Sequence, residues 1–114
     1  MELKKIPSGD HYIHIALSGK LDENVVPAAA KDLEDLLRNC SKPVIVDITE
    51  VGSISPEGIK MFLDLAENQS CMILYNPQPI IREQMETAGF AAKMFLESTL
   101  SGALAKVDSF TSKS

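Results

Sequence analysis

Apolar and polar positions change period several times along the chain, and each change marks an element. Tyr12-Ile13-His14-Ile15-Ala16-Leu17 is rich in β-branched and aromatic residues and is followed by Ser18-Gly19, which predicts a strand ending there. Leu3 to Ile6 predicts a short edge strand, and Gly9-Asp10 between the two runs predicts a hairpin. From Asn24 the spacing becomes helical. Val26, Ala29, Leu33, Leu36, Leu37 and Cys40 recur at steps of three and four, with Pro27 in the first turn, where a missing N–H does no harm. This helix is predicted to stop before Ser41-Lys42-Pro43. The nearly continuous apolar run Val44-Ile45-Val46-Asp47-Ile48 predicts a strand buried on both faces. Cys71 to Tyr75 predicts another, closed by Asn76-Pro77.

Ser55-Pro56-Glu57 announces a second helix. Serine is a good N-cap, proline suits the first helical position, and glutamate in the first turn complements the helix dipole. Pro79 to Ala88 predicts a third helix, with Ile80, Ile81, Gln84, Met85 and Ala88 spaced helically and Gly89 as its C-cap. Lys93 to Leu96 predicts a last strand, and Ser98 a cap for a short final helix through Lys106. The order is ββαβαβαβα. Strands alternating with helices imply right-handed crossovers and a small mixed α/β sheet with a parallel centre and about four helices. One apolar face per helix places the helices on the same side or at the ends of that sheet.

Composition sharpens this picture mainly by exclusion. The chain has 114 residues, 45% of them hydrophobic and 24% charged, the profile of one globular domain. That domain is assigned to residues 1–107, with 108–114 as a flexible polar tail. A formal net charge of -5 argues against nucleic acid and against an anionic membrane surface. No apolar run approaches the roughly 20 residues of a membrane span, and the chain begins without a secretory signal pattern. Cys40 and Cys71 each stand alone, which fits a cytoplasmic protein with free thiols.

Catalytic chemistry finds little to work with. Neither a dinucleotide-binding nor a P-loop motif occurs. His11 and His14, three apart on a strand, point to opposite faces and cannot share a metal. Asp47, a carboxylate in a buried strand, is read as an acceptor for N–H groups of a neighbouring loop, with an acid or base role as the alternative. No catalytic residue, cofactor or metal site is expected.

Three segments, in order, resemble the STAS family, the domain of bacterial anti-sigma-factor antagonists. Leu17-Ser18-Gly19-Lys20-Leu21-Asp22 is similar to the family's Leu-x-Gly-x-Leu-Asp pattern between strand and helix. Val44 to Val51 is similar to the strand leading into the family's functional loop, and Ser53-Ile54-Ser55-Pro56-Glu57-Gly58-Ile59 stands at that loop and helix start. Asn76-Pro77, followed by a helix ending Ala88-Gly89-Phe90, fits the region downstream. The resemblance spans roughly Leu3 to Val107.

The resemblance implies a STAS-like fold and a non-enzymatic regulator. It would bind a protein, an anti-sigma factor that is also a kinase-like ATPase, through the loop Gly52 to Gly58 and the helix after it. In the family that loop usually reads Asp-Ser-[Ser/Thr]-Gly. Its first serine is phosphorylated by the partner, and the phosphate breaks the complex. Placing the family's glycine on Gly58 puts Ser55 at the Asp position, Pro56 at the acceptor and Glu57 after it. Proline has no hydroxyl, so that modification has no acceptor at Pro56. Ser53 and Ser55 are substitute acceptors, although Ser55 is better explained as the helix cap.

Helical geometry adds a candidate surface. With Ile59 at zero, Phe62, Leu63 and Ala66 lie within about 60°, which defines a core face, whereas Gly58, Met61 and Leu65 lie at about 200° to 260°. Met61 and Leu65 are then either the edge of a wide core stripe or a contact patch rimmed by Glu57, Lys60 and Asp64. Two other roles stay open: a STAS subunit of a lipid-transport ABC system or of a signalling complex, and a domain holding a nucleotide or small anion.

Overall fold

The computed structural model describes residues 2–7, 12–38, 42–68, 72–89 and 95–111. Its elements are β1 (Glu2–Ile6), β2 (Ile13–Leu21), α1 (Val26–Arg38), β3 (Val44–Ile54), α2 (Pro56–Asn68), β4 (Met72–Tyr75), α3 (Pro79–Thr87), β5 (Phe95–Glu97) and α4 (Leu100–Thr111). This is the order read from the sequence. The turn at Gly9-Asp10, with His11, Cys40, Cys71, Phe90 and Lys93, lies outside the described residues, as do the side chains of Leu37 and Ala66.

The five strands lie in chain order, β1-β2-β3-β4-β5. β1 pairs antiparallel with β2, and the other three pairings are parallel. Three successive crossovers that step the same way with the same right hand must put their helices on one face. Accordingly α1, α2 and α3 cover the side of Ile15, Leu17, Val44, Val46, Ile48, Met72 and Leu74. α4 follows the last strand and has no crossover to make. It lies on the opposite face, packing Ala103 and Val107 on Ile45, Ile73 and Tyr75. The expectation that all helices share one side or the ends of the sheet is therefore corrected for α4.

Two boundaries move for one reason. Register shifts fall between Ala16 and Ser18 and between Gly19 and Lys20, where β3 spends extra residues against β2. Gly19 sits at φ 94, a conformation open to glycine. Bulges of this kind let both strands continue, so β2 passes Ser18-Gly19 to reach Leu21 and β3 runs on to Ile54. Gly52 and Ser53 are strand residues, and the expected loop from Gly52 to Gly58 contracts to Ser55.

α4 begins with Thr99 rather than Ser98 as its cap. The Gly102 N–H donates to Thr99 Oγ1 at 3.1 Å, while Arg82 Nη1 donates to Ser98 Oγ at 2.7 Å. The helix continues past Lys106 to Thr111, into the stretch assigned from sequence to a tail.

Candidate functional site: the β3–α2 corner and its groove

Asp22 starts the construction, since its carboxylate accepts the Asn24 and Val25 N–H groups at 3.0 and 3.2 Å and turns the chain from β2 into α1. Just before it, the Leu21 carbonyl accepts the Ser55 N–H at 2.8 Å, extending the β2–β3 pairing to the last residue before α2. Ser55 then caps that helix. Its Oγ accepts the Gly58 N–H at 3.2 Å, and its carbonyl accepts the Ile59 N–H at 3.1 Å. From the other side, Gln84 Nε2 donates to the Ile54 carbonyl at 3.3 Å. The corner is thus pinned by β2 and by α3. Ser53, Pro56 and Glu57 are exposed on it, Ser55 is half-buried and Gly58 is buried. Ser55→Ala should cost about 1 kcal/mol of stability in a denaturant titration, the usual value of an N-cap hydroxyl.

The orientation of α2 corrects the helical-wheel reading. Met61 and Leu65 are 5% and 4% exposed and belong to the main core, with Ile59 and Phe62. They face α1, beside Val26 and Ala30. Leu63, assigned from sequence to the core face, is half-buried at the other edge of the helix. The apolar positions of α2 span about 220° of arc, more than a flat sheet covers. α1 covers the Met61 and Leu65 end of that arc, and the Pro56 and Leu63 end is left over.

That leftover edge forms one wall of a groove of about 540 Å³ between α2 and α3. Pro56, Ile59 and Leu63 line one side, Ile80 and Ala88 the other, with Lys60 and Glu83 at the rim. Ile80 is 56% exposed, whereas Ile81 and Met85 of the same helix are buried. The sequence pattern groups Ile80 with Ile81, Gln84, Met85 and Ala88 as helically spaced positions. Adjacent isoleucines on a helix stand about 100° apart, so one of the pair must leave a narrow core face.

The STAS domain family model matches residues 4–103 of the sequence. The chain belongs to the STAS family. Among solved structures, this STAS domain is similar to an anti-sigma factor antagonist from Mycobacterium paratuberculosis at 18% identity, covering 93% of this chain and 94% of that one with a TM-score of 0.81. It is also similar to the anti-sigma factor antagonist SpoIIAA in its unphosphorylated form, at 18% identity, 95% and 97% coverage and a TM-score of 0.74. An RsbS variant from Moorella thermoacetica matches at 16% identity, 98% and 99% coverage and a TM-score of 0.75. At these identities the likeness is one of fold. No curated protein of matching sequence was found.

Away from the corner, the STAS sheet carries a polar network on the α4 face. Asp47 Oδ1 accepts both the N–H, at 2.9 Å, and the hydroxyl of Thr49. Its N–H donor is thus two residues along its own strand, at the bulge, and not in a neighbouring loop. Asn76, at φ 60, donates from Nδ2 to Thr49 Oγ1 at 2.8 Å. Among the described residues, no three His, Cys, Asp or Glu side chains gather as metal ligands, and no helix is long and apolar enough to cross a membrane.

Proposed function

We propose that this STAS domain is a non-enzymatic protein-binding regulator in the cytoplasm whose partner is an anti-sigma factor of the kinase-like ATPase kind. The partner docks on Ser53, Pro56 and Glu57 at the β3–α2 corner and on the groove beside them. The observation that carries this reading is the apolar groove opening next to the corner, with Ile80 56% exposed on one wall and Pro56 and Leu63 on the other. An exposed apolar patch rimmed by polar groups is the usual mark of a protein contact. Similar folds in proteins described as anti-sigma factor antagonists support the same reading. Leu63 and Ile80 take the place of Met61 and Leu65 in the contact, because the latter pair is only 5% and 4% exposed.

The interaction has no serine switch at the family's usual place. Pro56 carries no hydroxyl, and the Ser55 hydroxyl is already engaged by the Gly58 N–H. A phosphate there would add about -1.5 to -2 charges to a surface that a partner must bury.

Both parts are tested with a purified anti-sigma-factor ATPase, ATP and mass spectrometry. Binding without modification is expected, and a phosphopeptide containing Ser53 or Ser55 would sink the switchless reading. Ile80→Glu should weaken binding at least about 30-fold, the effect of losing a central apolar contact, while leaving the thermal midpoint in place. Unchanged affinity would remove the groove from the interface.

A further inference from the structure

The groove beside the β3–α2 corner constrains what can fill it. β3, β4 and β5 are parallel neighbours, so α2 and α3 both return against the strands and run in the same direction. Pro56 and Ile80 therefore share one end of the groove, and Leu63 and Ala88 the other. From Pro56 to Leu63 the wall rises about 10 Å, two helical turns at about 1.5 Å per residue. Both walls are side chains of helices, whose interior backbone groups are bonded within each helix. Gln84, half-buried on the α3 wall, is committed to the Ile54 carbonyl at 3.3 Å. An extended peptide laid there would find no row of donors and acceptors, and its own peptide groups would lose water over an apolar floor. A helix satisfies those groups internally and offers only its apolar stripe.

The two rims carry opposite charge. Lys60 edges the α2 wall and Glu83 the α3 wall, both exposed and each about one turn in from Pro56 and Ile80. Glu57 and Asp64 line the other side of α2, toward α1, which Lys60 also reaches. On α3, Arg82 is held by Glu86 and Ser98. Among the described residues neither Lys60 nor Glu83 has an ion-pair partner. The rims do not neutralise each other, and each is left to the charge of whatever lies between them.

We propose that the occupant of this groove is an amphipathic helix of the partner. It carries apolar side chains at i, i+3 or i+4 and i+7, acidic residues on the flank over Lys60 and basic residues on the flank over Glu83. This rests on the reading of the groove as part of the partner interface, and adds to it the segment's conformation, charge and direction. Complementary charge sets register and orientation more than affinity. Turning the helix end for end exchanges its flanks, which sets acid against Glu83 and base against Lys60. Opposite charges on the two rims thus select one direction of two.

Synthetic peptides test it by NMR titration. The probe is a peptide of about 15 residues with leucines at i, i+3 and i+7, glutamates on one flank, lysines on the other and a nitroxide at one end. It should bind the unmodified domain, and a proline at its centre should weaken binding at least about tenfold by breaking the helix. Lys60→Glu or Glu83→Lys alone should weaken it about fivefold. Lys60→Glu combined with Glu83→Lys should restore affinity with the peptide turned round, so that nitroxide broadening moves from the amides at one end of the groove to those at the other. Equal binding by the proline peptide, or an unmoved label in the double variant, would overturn the proposal. Failure of every peptide to bind would also overturn it, while docking of the anti-sigma factor would still stand or fall on Ile80→Glu.

Discussion

Met61→Lys combined with Leu65→Lys should unfold this domain or lower its thermal midpoint by about 15 °C or more. Each change removes an apolar side chain from a site 5% or 4% exposed between α1 and α2 and drives an ammonium into it. Losing a buried Met or Leu side chain costs about 2–5 kcal/mol, and the whole stability of a domain this size is about 5–15 kcal/mol. Ile80→Lys supplies the contrast. At 56% exposure it should shift stability by no more than about 0.5 kcal/mol. If the double variant kept its midpoint, α2 would be turned differently from the orientation described above, and the argument for the groove would go with it.

Gly58→Ala should destabilise the fold by about 1–3 kcal/mol, an effect opposite to the gain of about 1 kcal/mol that alanine brings to an exposed helix position. A Cβ at residue 58 would stand 2.8 Å from Ile54 Cγ1 and 3.0 Å from the Leu21 carbonyl oxygen. Neither neighbour has room to withdraw. The carbonyl is tied to the Ser55 N–H at 2.8 Å, and Ile54 is 5% exposed. Gly52→Ala is the control, since nothing lies within 4 Å of the added atom. Its stability should stay within about 0.5 kcal/mol in the same denaturant titration. A higher midpoint for Gly58→Ala would show that the corner has slack.

Most of the fold was legible because periodicity reports burial directly. The run Val44 to Ile48 is buried on both faces as its composition requires, and Ser55-Pro56-Glu57 starts α2 with the predicted cap. What escaped depends on neighbours distant in sequence. The continuation of β2 through Ser18-Gly19 rests on bulges shared with β3, which no local pattern of β2 reveals. The rotation of α2 is set by α1 on one side and α3 on the other. A wheel drawn from α2 alone shows a wide apolar arc without saying which end α1 covers. The exposed end is the one that matters for the site, so the candidate contact residues moved from Met61 and Leu65 to Leu63 and Ile80. Likewise, His14 and Tyr75 are 61 positions apart, and only the sheet brings them together.

The chain-order arrangement of the strands, β1 to β5, also bears on how the domain forms during synthesis. No strand has to be inserted between two that are already paired. Each new strand and its preceding helix can dock on the growing edge as they leave the ribosome, in the N-to-C order in which domains are made. Every intermediate, however, carries one uncovered parallel edge, first β3 and then β4, both rich in buried aliphatic residues. The interval before β5 and α4 arrive is when this protein is most open to pairing with another chain.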